Sequence, residues 1–144
     1  VGFRLVDIST EEFAVIEENF PKGDEQEIGI SLATDIKVNQ ENRLVGSFVK
    51  LKFSNQEKIF LIIEVGCHFL LEEESWNQSL NINNSITFNK GLLTHFLVLT
   101  IGTTRGVIHA KLPKELKGII LPTFDVSTHF TEDVMISFHD DEEE

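Results

Sequence analysis

Five histidines, one cysteine and 24 acidic residues are the groups that could do chemistry in this chain of 144 residues. The histidines are His68, His95, His109, His129 and His139. No pair of them has the spacing of a zinc motif, and there is no second cysteine to complete a thiolate set, so no metal site is expected. Cys67 and His68 are neighbours, and neighbouring side chains on a strand point to opposite faces. A thiolate–imidazole nucleophile is therefore disfavoured, and Cys67, within an apolar run, reads as packing. A lone cysteine also forbids a disulfide within the chain. Gly102 and Gly106 enclose Thr-Thr-Arg, which matches neither phosphate-loop nor dinucleotide spacing; they read as sites of close helix packing. No cofactor is expected. Among the carboxylates Glu64 stands out because it interrupts an otherwise apolar strand, and its reading is open between a wet sheet face and a functional contact. An enzyme is the least favoured class.

Charge narrows the partners. The net charge is −12, and the 12 basic residues do not cluster, which argues against nucleic acid because phosphate binding needs a basic stripe. The acidic excess fits a solvated surface or a partner carrying positive charge. Hydrophobic residues make up 41% and charged residues 25%, the balance of a soluble globular domain. The apolar runs 59–63 and 96–101 are too short to cross a bilayer, and no signal-peptide pattern opens the chain; the expected location is the cytoplasm.

Three long alternating segments must position these groups. In residues 27–40, Ile28, Ile30, Leu32, Ile36 and Val38 share one parity and Glu27, Ser31, Asp35 and Lys37 the other, as in a strand with one buried and one wet face. Residues 43–53 carry Val45, Val49, Leu51 and Phe53 on one side, with Leu44 and Phe48 on the other. Residues 59–72 carry Ile59, Leu61, Ile63, Val65, Cys67, Phe69 and Leu71 as one stripe, with a bulge or bend expected at Gly66. The intervening turns are short, so these strands form an antiparallel meander. Residues 2–13 are a shorter strand with Phe3, Leu5 and Asp7 facing one way, and 20–24 form a turn. Residues 72–91 mix polar residues with Trp76, Leu80, Ile82, Ile86 and Phe88, and so long a loop is expected to lie over a hydrophobic surface.

Residues 94–125 are the stretch around which the rest is organised. Phe96, Leu97, Val98, Leu99 and Ile101 leave no wet face over almost two turns, so a helix here needs cover from a sheet and from a second subunit. The β-branched residues Thr94, Val98, Thr100, Ile101, Thr103, Thr104, Val107 and Ile108 favour a strand instead. Periodicity alone leaves both open. As a helix the segment runs from about residue 90 to 110, with Asn89 as its N-cap. Residues 119–126 read as extended. In 128–138 the four-residue spacing of Phe130, Val134 and Phe138 reads as a short helix, and the alternation of Val134, Ile136 and Phe138 as a strand. Residues 1–138 are expected to form one domain, and 139–144 an acidic, mobile tail.

Three stretches then carry a family resemblance: Phe60-Leu-Ile-Ile-Glu-Val65, Leu92 through Arg105-Gly106, and Ile120-Leu-Pro-Thr-Phe-Asp-Val126. In order and spacing they resemble the last sheet strand, the long helix and the following extended segment of the SecB family of bacterial export chaperones, across most of residues 27–130. The resemblance implies an α+β fold: a four-stranded antiparallel sheet, a crossover loop, one long helix and a short C-terminal helix. It implies a homotetramer built as a dimer of dimers, with the long helices between two sheets. It implies binding of unfolded preproteins and their delivery to the SecA motor, without catalysis or cofactor. By position, Glu64 takes the place of a motor-contacting acid, with Ile62 its same-face neighbour and Glu12 the second acid. Trp76, Leu80, Ile82, Ile86 and Phe88 would line the client grooves, and Phe96, Leu97, Leu99 and Ile101 would meet another subunit. Two departures, a longer stretch after Arg105-Gly106 and a short C-terminal segment, suggest a divergent member. They also suggest the alternative of a dedicated protein–protein adaptor, or a chaperone for a single client such as an antitoxin, without general export activity.

Overall fold

The computed structural model describes residues 2–22, 28–116 and 124–138. Four strands, β1 (Phe3–Val15), β2 (Ile28–Asn39), β3 (Leu44–Asn55) and β4 (Lys58–Leu71), form one antiparallel sheet in the order β1-β4-β3-β2. The strands β2 to β4 are successive hairpins, as their alternation requires. The β3–β4 connection is Gln56–Glu57, with both residues at positive φ (51° and 69°), the geometry of a type I′ turn. Because β1 returns to pair with β4, the whole sheet is a Greek key and not a plain meander.

One face of the sheet is the core. Val45, Val49, Leu51 and Phe53 of β3 and Leu61, Ile63, Val65, Cys67, Phe69 and Leu71 of β4 are all fully buried. Each large side chain buried in this way contributes about 1.5–3 kcal/mol relative to exposure. On the opposite face the pairing at Gly66 is regular, with no bulge. The glycine has another reason: the Phe48 ring lies across it. A Cβ at Gly66 would come within 2.5 Å of Phe48 Cε1, and one at Gly46 within 2.7 Å of Cε2. Phe48 is thereby buried on the outer face, under the Lys37 ammonium 4.7 Å from its centroid.

Bulges do occur, but in β1. The register shifts between Leu5 and Asp7 and again between Thr10 and Glu12. The first extra residue, Val6, reverses the parity, so Leu5 lies opposite Phe69 on the core face while Asp7 lies opposite His68 on the outer face. The expected common face of Phe3, Leu5 and Asp7 is corrected to Phe3 and Leu5 alone. The second extra residue, Glu11, restores the parity and sets Glu12 beside Glu64.

The stretch with conflicting propensities is a helix. After the short helix α1 (Glu73–Ser79) and strands β5 (Leu80–Asn81) and β6 (Ser85–Phe88), α2 spans Lys90–Lys111 and crosses the core face. Asn89 caps it, its Oδ1 accepting from Gly91 N at 2.7 Å, as expected from the sequence. Its threonines are accommodated by donating to the preceding turn. Thr94, Thr100, Thr103 and Thr104 each give their hydroxyl to the carbonyl four residues back, at 2.7–2.9 Å. Thr100 and Thr104 can therefore be fully buried with Leu93, Phe96, Leu97, Ile101 and Ile108. Phe96 stacks on Phe69, centroids 4.1 Å apart, and takes the edge of Phe3 at 4.9 Å. At 22 residues α2 is long and apolar enough to cross a membrane by length and composition, a property it shares with core helices, and here it lies against the sheet.

In the C-terminal segment the open reading of residues 128–138 resolves to a strand, where the resemblance implies a short helix. Val134–Ser137 is strand β7, antiparallel to β6 in a three-stranded sheet of order β5-β6-β7. The alternation of Val134, Ile136 and Phe138 prevailed over the four-residue spacing because β6 offers an unpaired edge and the core cluster around Trp76 and Phe88 needs a cover on one side only. The second α-helix among the described residues is α1, in the crossover. Residues 119–123 of the expected extended segment, residues 23 and 24 of the expected turn, Glu27 and the 139–144 tail lie outside the described residues.

Candidate functional site

The outer face of the four-stranded sheet brings together the acids singled out in the sequence. Glu12, Glu64 and Lys50 occupy one row across β1, β4 and β3. Lys50 Nζ lies 2.8 Å from Glu12 Oε1, reaching across the row past Glu64. That hydrogen bond, then the charge of Glu12, hold the Lys50 ammonium above the ordinary lysine range against the opposing effect of burial, with a lesser contribution from the charge of Glu64. Ile62 lies in the next row, opposite Ala14 and Lys52 and half-buried. Glu12, Glu64 and Ile62 therefore share one surface. Lys50 was not anticipated; the parity of β3 that puts Val49 and Leu51 in the core places it on the outer face.

On the side of Glu64 away from Ile62, Ser9 one row along and His68 two rows along share a hydrogen bond of 2.8 Å between Oγ and Nε2. A serine with an imidazole could act as a nucleophile and base, but the rest of that constellation is not assembled. Asp7 is the register partner of His68. His68 Nδ1, however, faces β3, where a Cβ on Gly46 would stand 3.4 Å from it. β4 is a central strand with its N–H groups committed to two neighbours, so it offers no oxyanion donors at this point. Cys67 is buried on the opposite face, as its neighbour relation to His68 required. Among the described residues no group of three or more His, Cys, Asp or Glu side chains could hold a metal ion.

The crossover splits the five expected groove residues. Ile86 and Phe88 are fully buried and Trp76 nearly so, all in the core cluster that also holds Phe69, Leu93 and Phe96. Ile82, at the β5–β6 turn, is 107% exposed, and Leu80 is exposed beside it. With Met135 of β7, also exposed, Leu80 and Ile82 line a shallow groove floored by Asn81, Asn83 and Thr87. Met135 was missed because its segment had no settled conformation in the sequence. A polar ladder, Asn81 Nδ2 to Ser85 Oγ at 3.0 Å and to Thr87 Oγ1 at 2.7 Å, stiffens the groove floor.

The outward side of α2 is a third surface. Of the four expected interface residues, Phe96, Leu97 and Ile101 are buried by the chain's own sheet, and Leu99 alone is exposed (39%), joined by Val98 (51%). Gly102 and Gly106 follow Val98 at four-residue intervals, and a Cβ on either would meet nothing within 4 Å. No protein-family model matches the chain, and none of the curated proteins matches its sequence.

Proposed function

We propose that this chain is a subunit of a SecB-like molecular chaperone, a holdase that binds unfolded or extended polypeptides, preproteins for Sec-dependent export foremost. The observation that carries the reading is the crossover groove. Leu80, Ile82 and Met135 present apolar side chains to solvent from a sheet stiffened by side-chain hydrogen bonds. Apolar contacts are non-directional, so such a surface accepts many sequences, each weakly, and several subunits multiply the effect. The reading requires no catalytic group and no cofactor, and it places the protein in the cytoplasm, where preproteins await export.

Two further parts of the reading rest on the other surfaces. The row of Glu12 and Glu64 beside Ile62 suits a partner with a cationic, partly apolar surface, the role of the SecA motor. The outward side of α2, with Val98, Leu99 and the two open glycines, suits the α2 of another copy in a dimer of dimers. A second reading, an adaptor for one dedicated client such as an antitoxin, is favoured by β7, which stands where the SecB resemblance implies a helix.

The test is whether the purified protein keeps an unfolded secretory precursor from aggregating, followed by light scattering, with the refolded precursor as control. Selective protection of the unfolded form near one tetramer per client is the expected result. Absence of protection, together with tight binding of one folded or short partner, would replace the holdase by the adaptor.

A further inference from the structure

We propose that β6 is the acceptor strand for an extended client and that β7 is its built-in occupant. The site then takes a segment with large apolar side chains at three alternate positions, as Val134, Ile136 and Phe138 now occupy it. This rests on the polypeptide-binding reading and assigns the client class and the route of entry. Trp76, Ile86 and Phe88 are not lost to binding in this arrangement; they form the surface beneath the covering strand. Ile86 lies opposite Ile136 and Phe88 opposite Val134, and the Trp76 ring stacks on Phe138, centroids 6.2 Å apart.

The two sides of this contact are unequal. Ile86 and Phe88 are fully buried, whereas Val134, Ile136 and Phe138 each stay partly exposed. The β6 side is fixed, since it pairs with β5 and leads through Asn89 into α2. The β7 side is a four-residue strand paired, among the described residues, only with β6. Beyond that ladder its segment is tied at one end by Phe138 N donating to Asn84 O at 3.0 Å and Asn84 Nδ2 donating to Phe138 O at 3.4 Å. At the other end it is tied by Asp133 Oδ1, which accepts from Lys90 N at 3.0 Å, by His129 Nε2 against Thr34 Oγ1 at 2.9 Å and by the half-buried Phe130. Short edge ladders open locally at far lower cost than a central sheet. A client segment with the same alternation would restore the main-chain hydrogen bonds of the ladder and the cover over Trp76, leaving the side-chain ties of Asp133 and His129 to be given up.

The experiment locks the covering strand. Thr87 and Met135 face each other on the outer side of β6 and β7, in a register suited to a disulfide, so the variant is Thr87→Cys with Met135→Cys; because both residues also line the exposed groove, its own reduced form is the reference for binding. Binding is read by fluorescence polarisation with a labelled peptide copying residues 131–138, alongside the precursor-aggregation assay, in oxidised and reduced forms. The wild type under the same oxidant is the control. Oxidation of the variant should weaken peptide binding by at least about tenfold and reduction should restore it, because only the open population is competent. Ile136→Ser, which loosens the cover, should bind the peptide more tightly than the wild type, the opposite of what loss of a direct contact would give. Undiminished peptide binding by the oxidised variant, or weaker binding by Ile136→Ser, overturns the exchange. Precursor protection that persists in the locked form leaves the holdase standing without it. No protection by wild type, reduced or oxidised forms removes both readings.

Discussion

Ile82 and Phe88 are six residues apart and belong to opposite environments, one in open solvent and one in the core. Their substitutions should therefore separate binding from stability. Ile82→Ser should leave stability within about 0.5 kcal/mol of the wild type and reduce precursor capture. Phe88→Ala should cost about 3–5 kcal/mol by opening a cavity beneath β7. Urea denaturation and the aggregation assay, run on both variants, would measure the two effects, and a strongly destabilised Ile82→Ser would contradict its exposure. From the sequence both residues looked alike, apolar positions in a polar loop. Burial in the 72–91 stretch depends on how β5 and β6 turn against the core, and a run with a two-residue strand has too little periodicity to report it.

At the scale of elements, alternation served where one face met the core and the pairing was regular. The strands β2, β3 and β4 were legible for that reason, including the partly apolar outer face signalled by Leu44 and Phe48. In β1 the two bulges break the period twice within thirteen residues, so no single parity describes it. For α2 the residues left helix and strand open, with Asn89 as a legible cap; the structure shows how the threonines are accommodated, each hydroxyl returning to the turn before it. Asn89→Ala should lower stability by about 1 kcal/mol, measured as a fall of a few degrees in melting temperature with the fold unchanged by circular dichroism. β7 was one of two open readings because its partner, β6, was itself unread.

For the whole molecule the open question of α2 becomes one of assembly. The chain buries one side of the helix by itself and leaves Val98, Leu99, Gly102 and Gly106 outward, a division that the sequence, which left helix and strand both open, did not show. Val98→Asp combined with Leu99→Asp should shift sedimentation from the assembled species to monomer, with far-ultraviolet circular dichroism unchanged; an unaltered sedimentation coefficient would place any interface elsewhere.

The Greek key also has a consequence in time. A ribosome releases β1 first, yet its partner β4 lies about 50–70 residues later, from Leu61 opposite Val15 to Leu71 opposite Phe3. At ~5–20 residues per second, the nascent chain must hold an apolar strand unpaired for about 2–14 s. Throughout that interval Leu5, Val6, Ile8 and Phe13 are bare, and the meander that would receive them is still being made. Slowing translation after β1 should lengthen this exposure and lower the soluble yield, whereas a circular permutant beginning at β2 would be synthesised with its meander complete before β1 emerges.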